Sequence, residues 1–174
     1  MNYTMTLKTV RSFSPCAEGW ATLTAAYGSD PETIVTLEQV LESNGIRNAI
    51  WAFRCLSKDD RMAMRPFIVD CAEHVLRLYE KRRTDDSRVR NYIAVTRLYI
   101  AGEATYDELT AARRDYAAYA DYADAAYADY AAAAAADAAY AAYAGAGAER
   151  TWQTARLREY LAGNPVPMAG LEVK

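Results

Sequence analysis

His74 is the single histidine of the chain, three residues after Cys71 and four after Asp70 in the run IVDCAEHVLRLYE. On a helix those spacings bring the three side chains to one side, where a thiol or a carboxylate could meet the imidazole. A Cys/His contact would make a nucleophile, and an Asp/His contact a general base. The rest of the sequence completes neither. The cysteine has no Gly-rich turn, no second His stands nearby to complete a metal site, and there is no HExxH, no phosphate-binding Gly loop and no nucleophile elbow. A core cysteine beside a partly exposed histidine is the simpler reading. Glu73 and Arg77 form an ordinary i,i+4 pair. Arg82, Arg83, Arg88 and Arg90 cluster about the Thr84–Ser87 turn, and read as a solvated helix junction rather than a nucleic-acid site. We therefore expect no catalytic residue, no metal ligand and no cofactor, and a protein that is not an enzyme.

A second set of residues points to recognition. From Thr105 to Ala144 the chain is almost entirely Ala, Tyr and Asp, with no Pro or Gly, so intrinsic preference predicts one helix of about 105–144. At 1.5 Å per residue that is a rod of roughly 60 Å. Tyr116 and Tyr119 recur as Tyr127 and Tyr130, an offset of about 11 residues, which favours a slightly right-handed stripe over a heptad seam. These four rings fall within an arc of about 80°, with Tyr122 and Tyr140 to one side. The stripe either packs on the protein's own helices or, in part, forms a partner-binding surface, since Tyr offers apolar area and a hydrogen bond together. The two readings are compatible on a rod of this length. Asp121, Asp124, Asp129 and Asp137 would steer a basic partner, and no basic residue occurs from Asp115 to Ala148. Duplex mimicry is disfavoured: five carboxylates over about 33 Å of helix are sparse beside one phosphate per roughly 1.7 Å of duplex. Ice binding is disfavoured by bulky Tyr interleaved with Asp. The candidate partner-binding set is therefore Tyr116, Tyr119, Asp121, Tyr122, Asp124, Tyr127, Asp129, Tyr130, Asp137 and Tyr140.

The elements that must carry these residues read as helices throughout. The chain is 174 residues long with 52% in the hydrophobic class, enough for a core and most simply one domain. Ser14-Pro15 opens a helix through Trp20, Leu23 and Tyr27 that Gly28 closes. Asp30-Pro31-Glu32 opens another, carrying Ile34, Leu37, Val40 and Leu41, which Asn44-Gly45 closes. Ile46, Ile50, Trp51, Phe53 and Cys55 share one broad face of the next. Ser57 to Asp60 is a capping-box pattern for a helix to Arg83, which Pro66 should kink or restart, with Ile68, Cys71, Ala72, Val75 and Tyr79 facing the core. Asp85 or Asp86 caps a helix through Val89, Ile93, Val95, Leu98 and Tyr99 that stops near Gly102. Thr105 and Glu108 stand in the capping-box arrangement at the head of the Ala/Tyr helix, and Gly145 and Gly147 supply its stop. Residues 149–162 form a last helix with Trp152, Leu157 and Leu161, and 163–174 an irregular tail. No strand-like alternation competes. The expected fold is all-α: a single domain, with a helical bundle over 1–102, six to seven helices in all, and the long Ala/Tyr-rich helix as its spine.

Net charge is −3 overall, and residues 103–148 alone carry −6, so no basic footprint for nucleic acid exists. Cys16, Cys55 and Cys71 are an odd, widely spaced number, which fits reduced thiols. The N-terminus has no apolar run of signal-peptide length and no stretch approaches a membrane span, so we expect a soluble, cytoplasmic protein.

The runs SNGIRNAIWAFRCL (43–56), FIVDCAEHVLRLYE (67–80), DDSRVRNYIAVTRLY (85–99) and AGEATYDELTAAR (101–113), followed by an alanine-rich helix with periodic aromatics, resemble the immunity proteins of bacterial toxin systems, a group also encoded by phages. The resemblance covers most of residues 33–162. It implies a small α-helical protein that neutralises another protein by binding it, in a bacterial or phage-infected cell. In that family the alanine segment more often mixes Trp and Arg among the alanines, whereas here Tyr and Asp take those places. The partner it implies is a toxin, or, for a phage relative with an altered surface, a host-defence effector blocked as anti-CRISPR proteins do. A structural or self-associating role, with helices packed between subunits as in a homodimer, is the reading from a different class.

Overall fold

Thr6 and Thr36 set the geometry at which the chain begins to fold. Each ends a three-residue strand, β1 (Thr4–Thr6) and β2 (Ile34–Thr36), and each is the N-cap of the helix that follows directly, α1 (Leu7–Ser12) and α3 (Leu37–Ala52). A threonine in extended conformation can turn its hydroxyl onto the third amide beyond it. Thr6 Oγ1 accepts from the Thr9 amide at 3.1 Å, and Thr36 Oγ1 from the Gln39 amide at 3.1 Å, with the Gln39 side chain returning to the Thr36 amide at 2.8 Å. The two strands pair antiparallel, Met5 opposite Val35. Around that pair the sequence repeats at an offset of 30, MTLKTV (5–10) against VTLEQV (35–40). The contacts repeat with it: the Leu7 amide donates to the Thr33 carbonyl at 2.9 Å and the Leu37 amide to the Tyr3 carbonyl at 2.8 Å. Met5, Val35, Leu7, Leu37, Val10 and Val40 are all buried. One strand-to-helix unit is thus used twice about a local two-fold, closing a core that neither copy could close alone.

This computed structural model describes residues 2–81, 85–117 and 146–168. Besides α1 and α3, its helices are α2 (Ala17–Tyr27), α4 (Lys58–Glu80), α5 (Arg88–Ala101), α6 (Tyr106–Ala117) and α7 (Ala146–Leu161), with a 3-10 turn at Phe53–Cys55. The fold is all-α, and the strand pair is its one departure among the described residues. Contacts divide the chain into two compact units, one of residues 1–64 and 150–166 and the other of 65–149 and 167–174.

Several local expectations are corrected. The segment after Pro31 enters a strand rather than a helix at Ile34, because its β-branched residues pair with β1 and three residues are too few to display an alternating pattern. Ser14-Pro15 does not cap α2. Cys16 does, its sulfur accepting from the Gly19 amide at 3.4 Å, while Ser14 holds a left-handed φ of 54°. Of the two effects expected of Pro66, a kink or a restart, the restart does not occur, since α4 runs through it; the carbonyl four residues back belongs to Met62, which is exposed, so water can take the lost donor's place. Gly147 lies inside α7 rather than ending a helix, and α7 begins three residues before the expected position.

Other expectations stand. Gly45, with φ 76° and ψ 174°, interrupts α3 at the predicted place, in backbone that a side chain rarely adopts. Gly102 closes α5 in the left-handed conformation. The Thr105–Glu108 box forms in full: the Glu108 amide donates to Thr105 Oγ1 at 3.2 Å and the Thr105 amide to Glu108 Oε2 at 2.7 Å. Of the predicted Ala/Tyr helix the structure describes Tyr106–Ala117, and the remainder, 118–144, lies outside the described residues together with Gly145.

Candidate functional site

The second unit is organised by an antiparallel pair of helices whose charges meet in register. Glu73 and Glu80 are seven residues apart on α4, and Arg90 and Arg97 seven apart on α5. A seven-residue step is about two helical turns, so each pair lies along one stripe. Arg90 holds Glu80 with two bonds, Nε to Oε1 at 2.6 Å and Nη2 to Oε2 at 2.7 Å. Arg97 reaches Glu73 Oε2 through Nε at 2.6 Å and Asp70 Oδ1 through Nη2 at 2.7 Å. The expected Glu73–Arg77 pair is therefore replaced: Glu73 turns to the neighbouring helix and Arg77 stays exposed. Beneath the ladder lie Val69, Ala72, Leu76 and Ile93, with Val89 and Ile100 packed against them.

The turn between α4 and α5 is held by the same chemistry. Asp86 accepts two bonds from the Arg88 guanidinium, both at 2.8 Å, one from the Arg88 amide at 3.1 Å and one from the Tyr79 hydroxyl at 2.7 Å. Those donors, Arg88 above all and then Tyr79, hold its carboxyl well below the usual carboxylate range. The N-cap of α5 is Ser87, without a side-chain capping bond, rather than the expected Asp85 or Asp86; Asp86 instead accepts from the Arg88 amide two residues on. Arg88 and Arg90 are engaged in these pairs, which agrees with a helix junction rather than an open basic patch, and Arg82 and Arg83 lie outside the described residues.

His74 sits between the ladder and the return of the chain after the Ala/Tyr segment. Its Nδ1 meets Glu149 Oε2 at 2.8 Å. Glu149 is buried, and it occupies the first turn of α7, where a carboxylate complements the positive end of the helix dipole. Asp70 is equally buried and faces Arg97. Cys71 is buried. The imidazole–carboxylate pair ties α7 to α4, and its chemistry is that of a fixed ring orientation. Sequence reasoning missed both this pair and the ladder; the matched seven-residue spacings of Glu73/Glu80 and Arg90/Arg97 were the available signal for the ladder, whereas Glu149 carried none.

Of the candidate partner-binding residues, Tyr116 alone falls in the described part. It is half-buried and stacks on Tyr92 of α5, ring centroids 5.3 Å apart and planes 11° from parallel, and burial pushes its hydroxyl's pKa up. Tyr119, Asp121, Tyr122, Asp124, Tyr127, Asp129, Tyr130, Asp137 and Tyr140 lie outside the described residues. Tyr99 and Tyr106 make a second, tilted contact across the same two helices, with centroids 6.4 Å apart. Among the described residues no group of three His, Cys, Asp or Glu could hold a metal ion, and no helix is long and apolar enough to cross a membrane.

Fold and cluster together define a small all-α protein in which Arg90 and Arg97 of α5 hold carboxylates of α4. Residues 54–150 match the family described as Imm-5 like putative immunity protein, more than half of the chain, and the chain belongs to that family. The matched stretch contains the ladder, the His74–Glu149 pair and the whole of the Ala/Tyr/Asp run. No curated protein and no solved structure matches the chain.

Proposed function

We propose that this protein is a non-enzymatic inhibitor that neutralises a partner protein, a toxin, by binding it in the cytoplasm of a bacterial or phage-infected cell. The observation that carries the reading is membership of an immunity family through a stretch that includes the Tyr/Asp run. The run combines ring area with five unopposed carboxylates from Asp115 to Ala148. Such a surface suits a basic target face: the rings supply contact area at low entropic cost, and the carboxylates raise the encounter rate and disfavour acidic competitors. The α4–α5 pair, with its charges engaged internally, then serves as the platform from which α6 leads into the run.

The Asp content of the run supports a second target class: a basic, nucleic-acid-handling effector of host defence, inhibited by a phage-encoded member of the family. Affinity purification of the tagged protein from its natural host, with Tyr119→Ala/Tyr127→Ala/Tyr130→Ala as the folded control, tests both readings. One stoichiometric protein, lost in the control, is the expected outcome, and its identity decides between toxin and defence effector. Equal recovery with the control would remove the Tyr run from the binding surface.

A further inference from the structure

Within the first unit, α2 and α3 leave between them a groove of about 720 Å³. Gly19 lets the helices approach: a methyl group there would stand 2.9 Å from Asn48 Oδ1 and 3.1 Å from Cys16 Sγ. Asn44 Nδ2 donates to the Gly19 carbonyl at 2.7 Å and fixes the crossing. Two indoles, Trp20 and Trp51, line the groove, and each carries a guanidinium on its ring, Arg11 at 5.1 Å and Arg54 at 5.0 Å from the centroids. Arg47 and Arg150 line it as well, exposed and without an ion pair among the described residues. Glu18 is the one acidic residue in the lining. The two arginines and two indoles of the lining make a surface for a ligand that is both anionic and aromatic.

We infer that this groove receives the acidic Tyr/Asp segment of a second copy of this chain. The complementarity is written in a single sequence: Asp115, Asp121, Asp124, Asp129 and Asp137 alternate with tyrosines over a run that has no basic residue, and the groove presents the opposite charge with aromatic faces. Exchange between two copies forms the contact twice, so the second forms at high effective concentration. The dimer covers the same run that the proposed inhibitor would offer its target, and dissociation exposes it. The inference does not depend on there being a toxin.

Sedimentation velocity of the intact chain tests it without any other partner. The expected result is a dimer at 50 mM NaCl whose dissociation constant rises at least tenfold at 500 mM. Arg47→Glu/Arg150→Glu, and separately Asp121→Lys/Asp124→Lys/Asp129→Lys/Asp137→Lys, should each weaken the dimer at least tenfold with the far-ultraviolet circular dichroism unchanged. Mixing the two variants should restore association as a heterodimer. If the multiple-Lys variant does not fold, a synthetic peptide of residues 115–144 titrated onto the intact protein should shift tryptophan fluorescence saturably, and not do so with Arg47→Glu/Arg150→Glu. A chain monomeric at 100 μM in low salt overturns the inference. So does a dimer indifferent to Arg47→Glu/Arg150→Glu, or a monomer whose tryptophan fluorescence responds to the Asp changes, which would place the segment in its own groove.

Discussion

Arg97 shows how a residue's role here is decided by what lies across the helix pair. Its guanidinium joins the buried Asp70 and the partly buried Glu73, so removing it leaves two carboxylates with an uncompensated cost. Arg97→Ala is expected to lower unfolding free energy by about 3 kcal/mol in urea titration, whereas Arg77→Ala on the exposed side should change it by less than about 0.5 kcal/mol. Asp86 gives a pH prediction. Its pKa is depressed in the folded protein, so its contribution to stability is present above the usual carboxylate range and is lost as pH falls below that range. Asp86→Asn should therefore flatten the fall in thermal midpoint between about pH 4 and pH 2, the range in which the unfolded chain protonates first. The cysteines separate by exposure and burial. Burial pushes the Cys55 thiol's pKa up to about 11, and Cys71 is buried too, while Cys16 is exposed. Mass spectrometry after iodoacetamide at pH 8 should find Cys16 alkylated in the native protein, with Cys55 and Cys71 modified only in denaturant.

The element that most repays attention is the doubled strand-to-helix unit. Thr6 and Thr36 make equivalent caps, so Thr6→Ala and Thr36→Ala should each cost about 1 kcal/mol in chemical denaturation. Leu7 and Leu37 are fully buried at equivalent places, and truncating either to Ala should cost about 2–5 kcal/mol. Because the two halves share one strand pair, the double variants should depart from additivity, and a pair of strictly additive losses would show the two halves to be energetically independent. This unit was not legible beforehand. Its strands are three residues long, below the length at which period-two patterning can be told from noise, and its meaning lies in a pairing across an offset of 30 residues. The Ser57 cap and the Thr105 capping box, by contrast, involve residues three apart and were readable at once.

At the scale of the molecule, the proposed target contact should behave as an electrostatically steered one. Raising NaCl from 50 to 500 mM is expected to slow association with the partner at least tenfold while changing dissociation little, measured by surface plasmon resonance. A salt-independent association rate would remove the Asp residues from the encounter. What the sequence by itself determined was the helical class, most of the helix stops, and membership of a family whose match spans residues 54–150. Those rest on intrinsic propensity, on Gly at the ends, and on runs of local motif, all of which act within a few residues. What only the tertiary structure decided was pairing: Glu73 with Arg97 rather than Arg77, His74 with Glu149 across 75 positions, Tyr116 on Tyr92, and Cys16 in place of Ser14 as a cap. All but the last, a local exchange of one exposed cap for another, compare a local partner with a distant one. The distant partner prevails where burial strengthens the interaction and makes an unpaired group costly, a comparison that exists only once the helices are packed.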